Sequence, residues 1–315
     1  MAFTVTEVNT VSDKHFDKVL KQQCYDNSAF YQKAKKMKQV VPGGTKITWP
    51  IRYDQLGSAD AVSSTDRIIF ERKATRTQCF LEWKYYSGNT MMGWDEKIKN
   101  SGKAAIVDLI ADKTEELKQD LDHRFATDLY TTNPNGSGFS SLATIVDSED
   151  TYAGVAVSDA SAWAAIEDST TTELIIYGGP TTLAGMIGQA TYGKNRPNFH
   201  LTTKLLRDKF ESKLEPKQRY TSDEMASLGF EDTISFHGAP VIGDAYCTAN
   251  TWYGLDMKVF SVVYHPSANF KATPWKEMFQ AGFPHHLAKE ISWVGNIKCK
   301  MRRCNFKYTA LDSTL

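Results

Sequence analysis

Nowhere in the 315 residues does an apolar run approach the roughly 18 residues that cross a bilayer, so no membrane-spanning helix and no membrane partner are expected. The opening Met1–Thr6 stretch lacks the charged and apolar regions of a secretion signal, which predicts a chain that is cytosolic at synthesis. Net charge is missing too. Thirty-seven basic residues offset 37 acidic ones, whereas a protein built mainly to grip nucleic acid carries a basic excess. Cysteine is sparse: Cys24, Cys79, Cys247, Cys299 and Cys304 form an odd, scattered set that argues against a disulfide framework. Cys299 and Cys304 are close, but no second Cys or His pair completes a zinc site, so buried free thiols are expected.

The common catalytic signatures are absent as well: no Walker loop, no G-x-G-x-x-G, no H-E-x-x-H and no G-x-S-x-G elbow. His285 and His286 are adjacent, and neighbours on a strand point to opposite sides, which spoils a metal pair. Gly178-Gly179-Pro180 has no Lys or Thr at P-loop spacing and reads as a turn. Asp147, Glu149 and Asp150 lack calcium-loop spacing and read as a solvated loop. No cofactor, no metal and no enzymatic activity are expected.

What the chain does contain is ordinary core material, 41% hydrophobic, with seven Trp, fourteen Tyr and sixteen Phe. Such rings fill cores and interfaces alike. The spacing predicts a helix from Ser12 to about Lys38, with Phe16, Val19, Leu20 and Cys24 on one face. Its far end carries Lys33, Lys35, Lys36 and Lys38, either a solvated face or an arm touching packaged nucleic acid or a neighbouring subunit. Ile47, Trp49, Ile51 and Tyr53 then alternate with polar residues as a half-exposed strand, which Pro50 confines to an edge. Arg67 to Tyr86 reads as the returning strand, with Cys79, Leu81, Trp83 and Tyr85 on one face. An isolated hairpin is marginal in water, so this one must lie on its own domain or on another subunit.

Ser101 to Tyr130 is the strongest helical pattern, with Ile106, Ile110, Leu117, Leu121, Phe125 and Leu129 in one stripe. At 1.5 Å per residue it would run about 45 Å. Beyond it, Leu174–Tyr177 reads as a short buried strand, Thr181–Ile187 and Thr203–Leu214 as helices, and Ile234–Phe236 and Pro240–Ile242 as strands. Ile291–Tyr308 reads as mostly strand, with Ile297, Cys299 and Met301 facing one way and Lys298, Lys300 and Arg302 the other.

One set of motifs, in order, is more specific. Gln218-Arg219-Tyr220, Gly229-Phe230 and the run Phe236-His237-Gly238-Ala239-Pro240-Val241-Ile242-Gly243-Asp244 precede Trp252-Tyr253-Gly254-Leu255-Asp256. Upstream stand Ser141–Val146, Thr151-Tyr152-Ala153-Gly154 and Trp163; downstream stand Gly295–Cys299 and Arg302-Arg303. Over most of the chain this resembles the major capsid proteins of tailed bacteriophages. The family commonly has a glycine pair and an arginine after the tyrosine, where this chain has Ala153 and Val157.

The resemblance implies an α+β, Hong Kong 97-type capsid fold: an N-terminal arm (1–44), an extended β-hairpin loop (45–92), a peripheral domain with a long spine helix (93–133 and 262–315) and an axial domain (134–261). It implies a shell subunit whose main partner is itself, in hexamers and pentamers, with the hairpin lying across an adjacent copy. Scaffolding, portal and cement proteins, and double-stranded DNA held without sequence specificity, are the further partners it implies. The location it implies is the virion capsid, assembled in the bacterial host cytoplasm. On this reading Trp49, Ile51, Tyr53, Leu81 and Trp83 are the expected inter-subunit contacts of the hairpin, with ordinary packing inside the subunit as the alternative. Trp49→Asp would then leave a folded monomer unable to form shells. No segment the size of a fused scaffold precedes the arm, so a separate scaffold or none is expected. An encapsulin-like compartment shell, and a hydrolase using His265, His285 or Asp244, are the competing readings.

Overall fold

The computed structural model of the chain describes residues 26, 28–59, 61–63, 70, 72–99, 109–132, 135–214, 234–278 and 286–314. The arm's described part is one short helix, α1 (Ala29–Ala34), followed by a turn and the strand β1 (Lys38–Val40). The expected helix therefore ends before Lys38, which instead pairs in parallel with Val262. The earlier stretch, Ser12 to Tyr25, lies outside the described residues.

The hairpin strands β2 (Ile47–Arg52) and β3 (Arg76–Leu81) pair in antiparallel register from Ile47 opposite Leu81 to Arg52 opposite Arg76. Along β2 buried and exposed residues alternate strictly, as the period of two demands. Ile47, Trp49, Ile51, Cys79 and Leu81 all point into the subunit's own main core. This corrects the expectation that Trp49, Ile51 and Leu81 await a neighbour: their apolar surface is already covered.

The returning strand does not continue to Tyr86. It breaks at Glu82-Trp83, and β4 (Lys84–Met92) joins a different sheet. Two long-range bonds hold the crossing: Asn296 Nδ2 donates to Glu82 O at 2.9 Å and Trp83 Nε1 donates to Gly44 O at 2.8 Å. The break shifts the alternation by one residue, so Tyr85 is exposed and Tyr86 is buried.

A short helix, α2 (Trp94–Lys99), leads toward the spine helix α3 (Leu109–Tyr130). Ser101, its expected cap, and Ile106 lie outside the described residues. The stripe Leu117, Leu121, Phe125 and Leu129 is buried as expected. Phe125 sits among rings, 4.7 Å from Tyr86 and 4.9 Å from Trp293 between centroids, both edge-on. The helix crosses β4 closely at Gly88, where a Cβ would stand 2.9 Å from Leu117 Cδ1.

Downstream come α4 (Leu142–Ile145), β5 (Ile166–Asp168), α5 (Leu183–Ala190), β6 (Phe199–Thr202) and α6 (Lys204–Lys213). The hydroxyls of Ser141, Thr182 and Thr203 accept from backbone amides in the first turns of α4, α5 and α6 and cap them. Leu174–Tyr177 is not a strand. Its carbonyls at Ile175 and Ile176 accept from the amides of Leu183 and Ala184 at the start of α5, leaving no ladder to join. The strands β7 (Ile234–Phe236), β8 (Ala239–Gly243), β9 (Trp252–Leu255), β10 (Phe260–Tyr264), β11 (Lys271–Ala272), β12 (Lys276–Glu277), β13 (Leu287–Cys299) and β14 (Phe306–Tyr308) complete the chain.

Two six-stranded sheets result. In the first, the long β13 has β4 along one edge, and β10, β11 and β12 along the other, with β1 outside β10. The second has the order β5-β14-β9-β6-β8-β7. Its central strands β6 and β9 are buried along their whole length. β14 thus pairs with β5 and β9 in the second sheet, while β13, just before it in the chain, belongs to the first. Ala153 adopts φ 54 beside Gly154 at φ 74, so the conformation that suits a glycine pair persists although one of the two is alanine.

Candidate assembly interface

One buried carboxylate gathers contacts from the arm and the spine helix. Asp244 Oδ2, buried at the end of β8, accepts from Ser28 Oγ at 2.8 Å, Ala29 N at 2.9 Å and Tyr130 OH at 2.8 Å. Its Oδ1 accepts from Tyr246 N at 3.0 Å. Ser28 does not cap α1 with its own side chain. The distant carboxylate takes the first helical amide instead, a negative group at the positive end of a helix. Arm, spine helix and second sheet thus meet at one residue.

The four arm lysines diverge. Lys33 is buried, its Nζ 4.6 Å from the centre of the Phe199 ring. Lys35 bonds Asp122 of the spine helix at 2.7 Å. Lys36 and Lys38 are exposed. Two of the four are therefore occupied within the subunit and two face solvent.

Of the five expected hairpin contacts, only Tyr53 and Trp83 keep partly open surfaces. Phe80, Tyr85 and Met91 face solvent on the strands, and farther out on the loop Leu56 is 49% exposed, Val62 57% and Phe70 92%. Sequence reading passed over Leu56 and Val62 because single apolar residues among Ser, Gly and Asp show no period, and it placed Phe70 within the returning strand.

Of the three cations expected on the face opposite Ile297, Cys299 and Met301, Lys300 is exposed but Lys298 and Arg302 are buried. Lys298 lies in β13 with its Nζ bonded to Gln39 Oε1 and 5.6 Å from the Trp49 ring centre. Arg302 is fully buried, and its guanidinium donates to four carbonyls of one loop: Ile145 at 2.7 Å, Asp147 and Asp150 at 2.9 Å, and Thr144 at 3.2 Å. Beside it Lys307 Nζ reaches Asp147 Oδ2 at 2.7 Å and Glu167 Oε1 at 3.2 Å. Burial opposes the charge on Asp147, but Lys307 and the amides of Asp150 and Glu149 outweigh it and hold the carboxyl at about 2. The Asp147 side chain is thus a structural anchor and not a solvated group.

Asp244 is occupied by structural donors, and His265 is bonded to Pro42 O at 3.1 Å and to the Ser267 amide; His285 lies outside the described residues. His200 is buried with its Nδ1 accepting from Trp252 Nε1 at 3.4 Å. Burial, with His237 adding to it, lowers its basicity to about 3, so it stays neutral. Cys79, Cys247, Cys299 and Cys304 are buried free thiols; burial raises Cys79 and Cys299 to about 12. Cys24 lies outside the described residues. Among the described residues, no group of three or more His, Cys, Asp or Glu side chains could hold a metal, and no helix is long and apolar enough to cross a membrane.

No protein-family model and no curated protein matches the chain. Solved structures do. A chain of the cyanophage A-1(L) capsid asymmetric unit superposes with a TM-score of 0.70 at 15% identity, covering 94% of this chain and 96% of that one. The capsid of a native GTA particle computed with C5 symmetry gives 0.63 at 8% identity, covering 96% of both chains. A chain from Microbacterium phage Oxtober96 gives 0.62 at 9%, covering 98% of this chain and 99% of that one. At such identities the superpositions show the fold alone: the α+β, Hong Kong 97-type fold of tailed-phage capsid proteins, matched over 94% of this chain in the cyanophage case.

Proposed function

We propose that this chain is a major capsid protein, assembling with copies of itself into the closed shell around a tailed-phage genome. The observation that carries the proposal is the end-to-end correspondence with capsid chains, which leaves no sizeable part of the subunit free for another task. Repeated heterologous contacts that close into hexamers and pentamers build such a shell, and each contact can be weak because many act together.

The hairpin loop is the proposed contact element, with the emphasis moved outward. Leu56, Val62 and Phe70 present their apolar surface to solvent and supply the anchors, joined by Tyr53 and Trp83. Trp49, Ile51 and Leu81 support the loop from inside. Lys36 and Lys38 are the arm cations left for packaged double-stranded DNA or a neighbouring copy. Scaffolding, portal and cement proteins complete the proposed partners, with assembly in the bacterial cytoplasm and residence in the virion.

The test is electron microscopy of the purified protein, expressed alone and with its neighbouring genes. Capsomer rings or closed shells are expected. A monomer of 35.4 kDa under every assembly condition, without rings or shells, overturns the proposal. Shells that enclose a co-purifying enzyme would favour a cellular compartment over a virion.

A further inference from the structure

A groove of about 850 Å³ lies between the root of the hairpin and the turn at residues 159–163. Arg52, Lys300 and Arg303 line it, all three exposed, and none has a carboxylate partner among the described residues. The lining holds two carboxylates. Asp54 is bonded to Lys73 at 2.8 Å, which leaves Asp159 against the three cations. Arg302, which also lines the groove, adds a further positive charge, because the carbonyls that hold it are neutral. A chain with no net charge thus gathers a cationic excess in one concave place.

Two further features set these cations apart from an ordinary solvated face. In the β2–β3 register Arg52 stands directly opposite Arg76, which is also exposed and without a carboxylate partner among the described residues. Like charges so placed repel unless an anion is shared between them. Arg303 lies over the ring of Tyr192, 4.7 Å from its centre, which holds the guanidinium in place without neutralising it. The groove thus presents positioned cations and no matching negative charge.

We propose that this groove is a binding site for a polyvalent phosphate anion, with the guanidinium groups of Arg52 and Arg303 and the Lys300 ammonium taking its oxygens. A guanidinium fork meets two phosphoryl oxygens at once, and linked phosphates carry several negative charges along a short length. An acidic peptide fits less well, because Pro50 in the wall has no N–H to offer a backbone. The same phosphate chemistry is found in free oligophosphates and in the backbone of single-stranded nucleic acid. The inference does not rest on the shell reading, since it concerns the single subunit.

The probe is sodium tripolyphosphate, titrated calorimetrically into the unassembled full-length chain at fixed ionic strength. Binding should weaken about tenfold in Arg52→Glu and at least about tenfold in the double variant Lys300→Glu/Arg303→Glu. It should stay within about twofold in Lys271→Glu/Lys276→Glu, an equal charge change at exposed positions of β11 and β12. Poly-glutamate of equal charge should displace tripolyphosphate poorly, and this comparison needs no variant. Absence of binding, equal weakening by the β11–β12 variant, or equal displacement by poly-glutamate overturns the proposal. Fluorescein-labelled oligothymidine, followed by anisotropy, identifies the source. Its displacement by tripolyphosphate assigns the site to a nucleic-acid backbone. Its failure to bind or to be displaced, with tripolyphosphate still bound, assigns the site to a free oligophosphate.

Discussion

Removing the Asp244 carboxylate should loosen three parts of the subunit at once. In Asp244→Ala the Ala29 amide, the Tyr130 hydroxyl and the Tyr246 amide lose their acceptor inside a buried site, and Ser28 loses its partner. Hydrogen bonds to a charged acceptor each contribute about 1.5–3 kcal/mol net, and water entering the vacated space recovers part of the loss. The expected cost is about 3–5 kcal/mol, a large share of the roughly 5–15 kcal/mol that holds an ordinary domain. Asp244→Asn keeps the shape and one carbonyl acceptor but turns an amide toward a donor, so about 1–2 kcal/mol is expected. Urea unfolding of the unassembled subunit, followed by tryptophan fluorescence, measures the total. Hydrogen exchange locates it: protection at Ala29–Ala34 should fall further than at Trp252–Leu255. An alanine variant within about 0.5 kcal/mol of the parent, or one with α1 still protected, would refute this account of how the arm is held.

Arg302→Leu strands four loop carbonyls and should cost about 3–5 kcal/mol by the same denaturation measurement, with Arg302→Lys intermediate; equal stability of all three proteins would show that the loop holds itself. Trp49→Asp should fail to fold, at a cost of at least about 3 kcal/mol, because the ring is buried in the subunit's own core. Phe70→Ser should change stability by less than about 0.5 kcal/mol yet lower particle yield; undiminished shells in micrographs would remove Phe70 from the contact. His200 titrates at about 3 in the fold and near 6.5 when unfolded, so the unfolded chain binds more protons between those values. Stability is full above pH 6.5 and declines as pH falls toward 3, by about 2 kcal/mol at pH 5. His200→Asn should flatten that slope, and an unchanged slope would assign it to other groups.

Periodicity was legible wherever a segment's environment is uniform along its length. The alternation through Ile47–Arg52 and the stripe Leu117–Leu121–Phe125–Leu129 both appear in the fold as expected, because one face of each is buried throughout. The pattern misled where the environment changes within a segment. At Glu82-Trp83 the strand changes sheets, so the phase read from Cys79 and Leu81 puts Tyr85 on the wrong side. Lys298 and Arg302 look like an outward face at strand spacing, yet an aromatic ring and a set of carbonyls far along the chain make their burial tolerable.

The amino-acid order alone was enough to mark the alternation of β2, the buried stripe of α3 and the ordered motifs that resemble capsid proteins, since all of these depend on spacing. Long-range contacts settled the rest: that Asp244 receives the arm, that β14 joins the second sheet, and that the hairpin's inner face rests on its own subunit while Leu56, Val62 and Phe70 stay exposed. A side chain's partners in such cases stand a hundred or more residues away, and a polar group inside a protein is stable or costly according to those partners and not to its position in the chain.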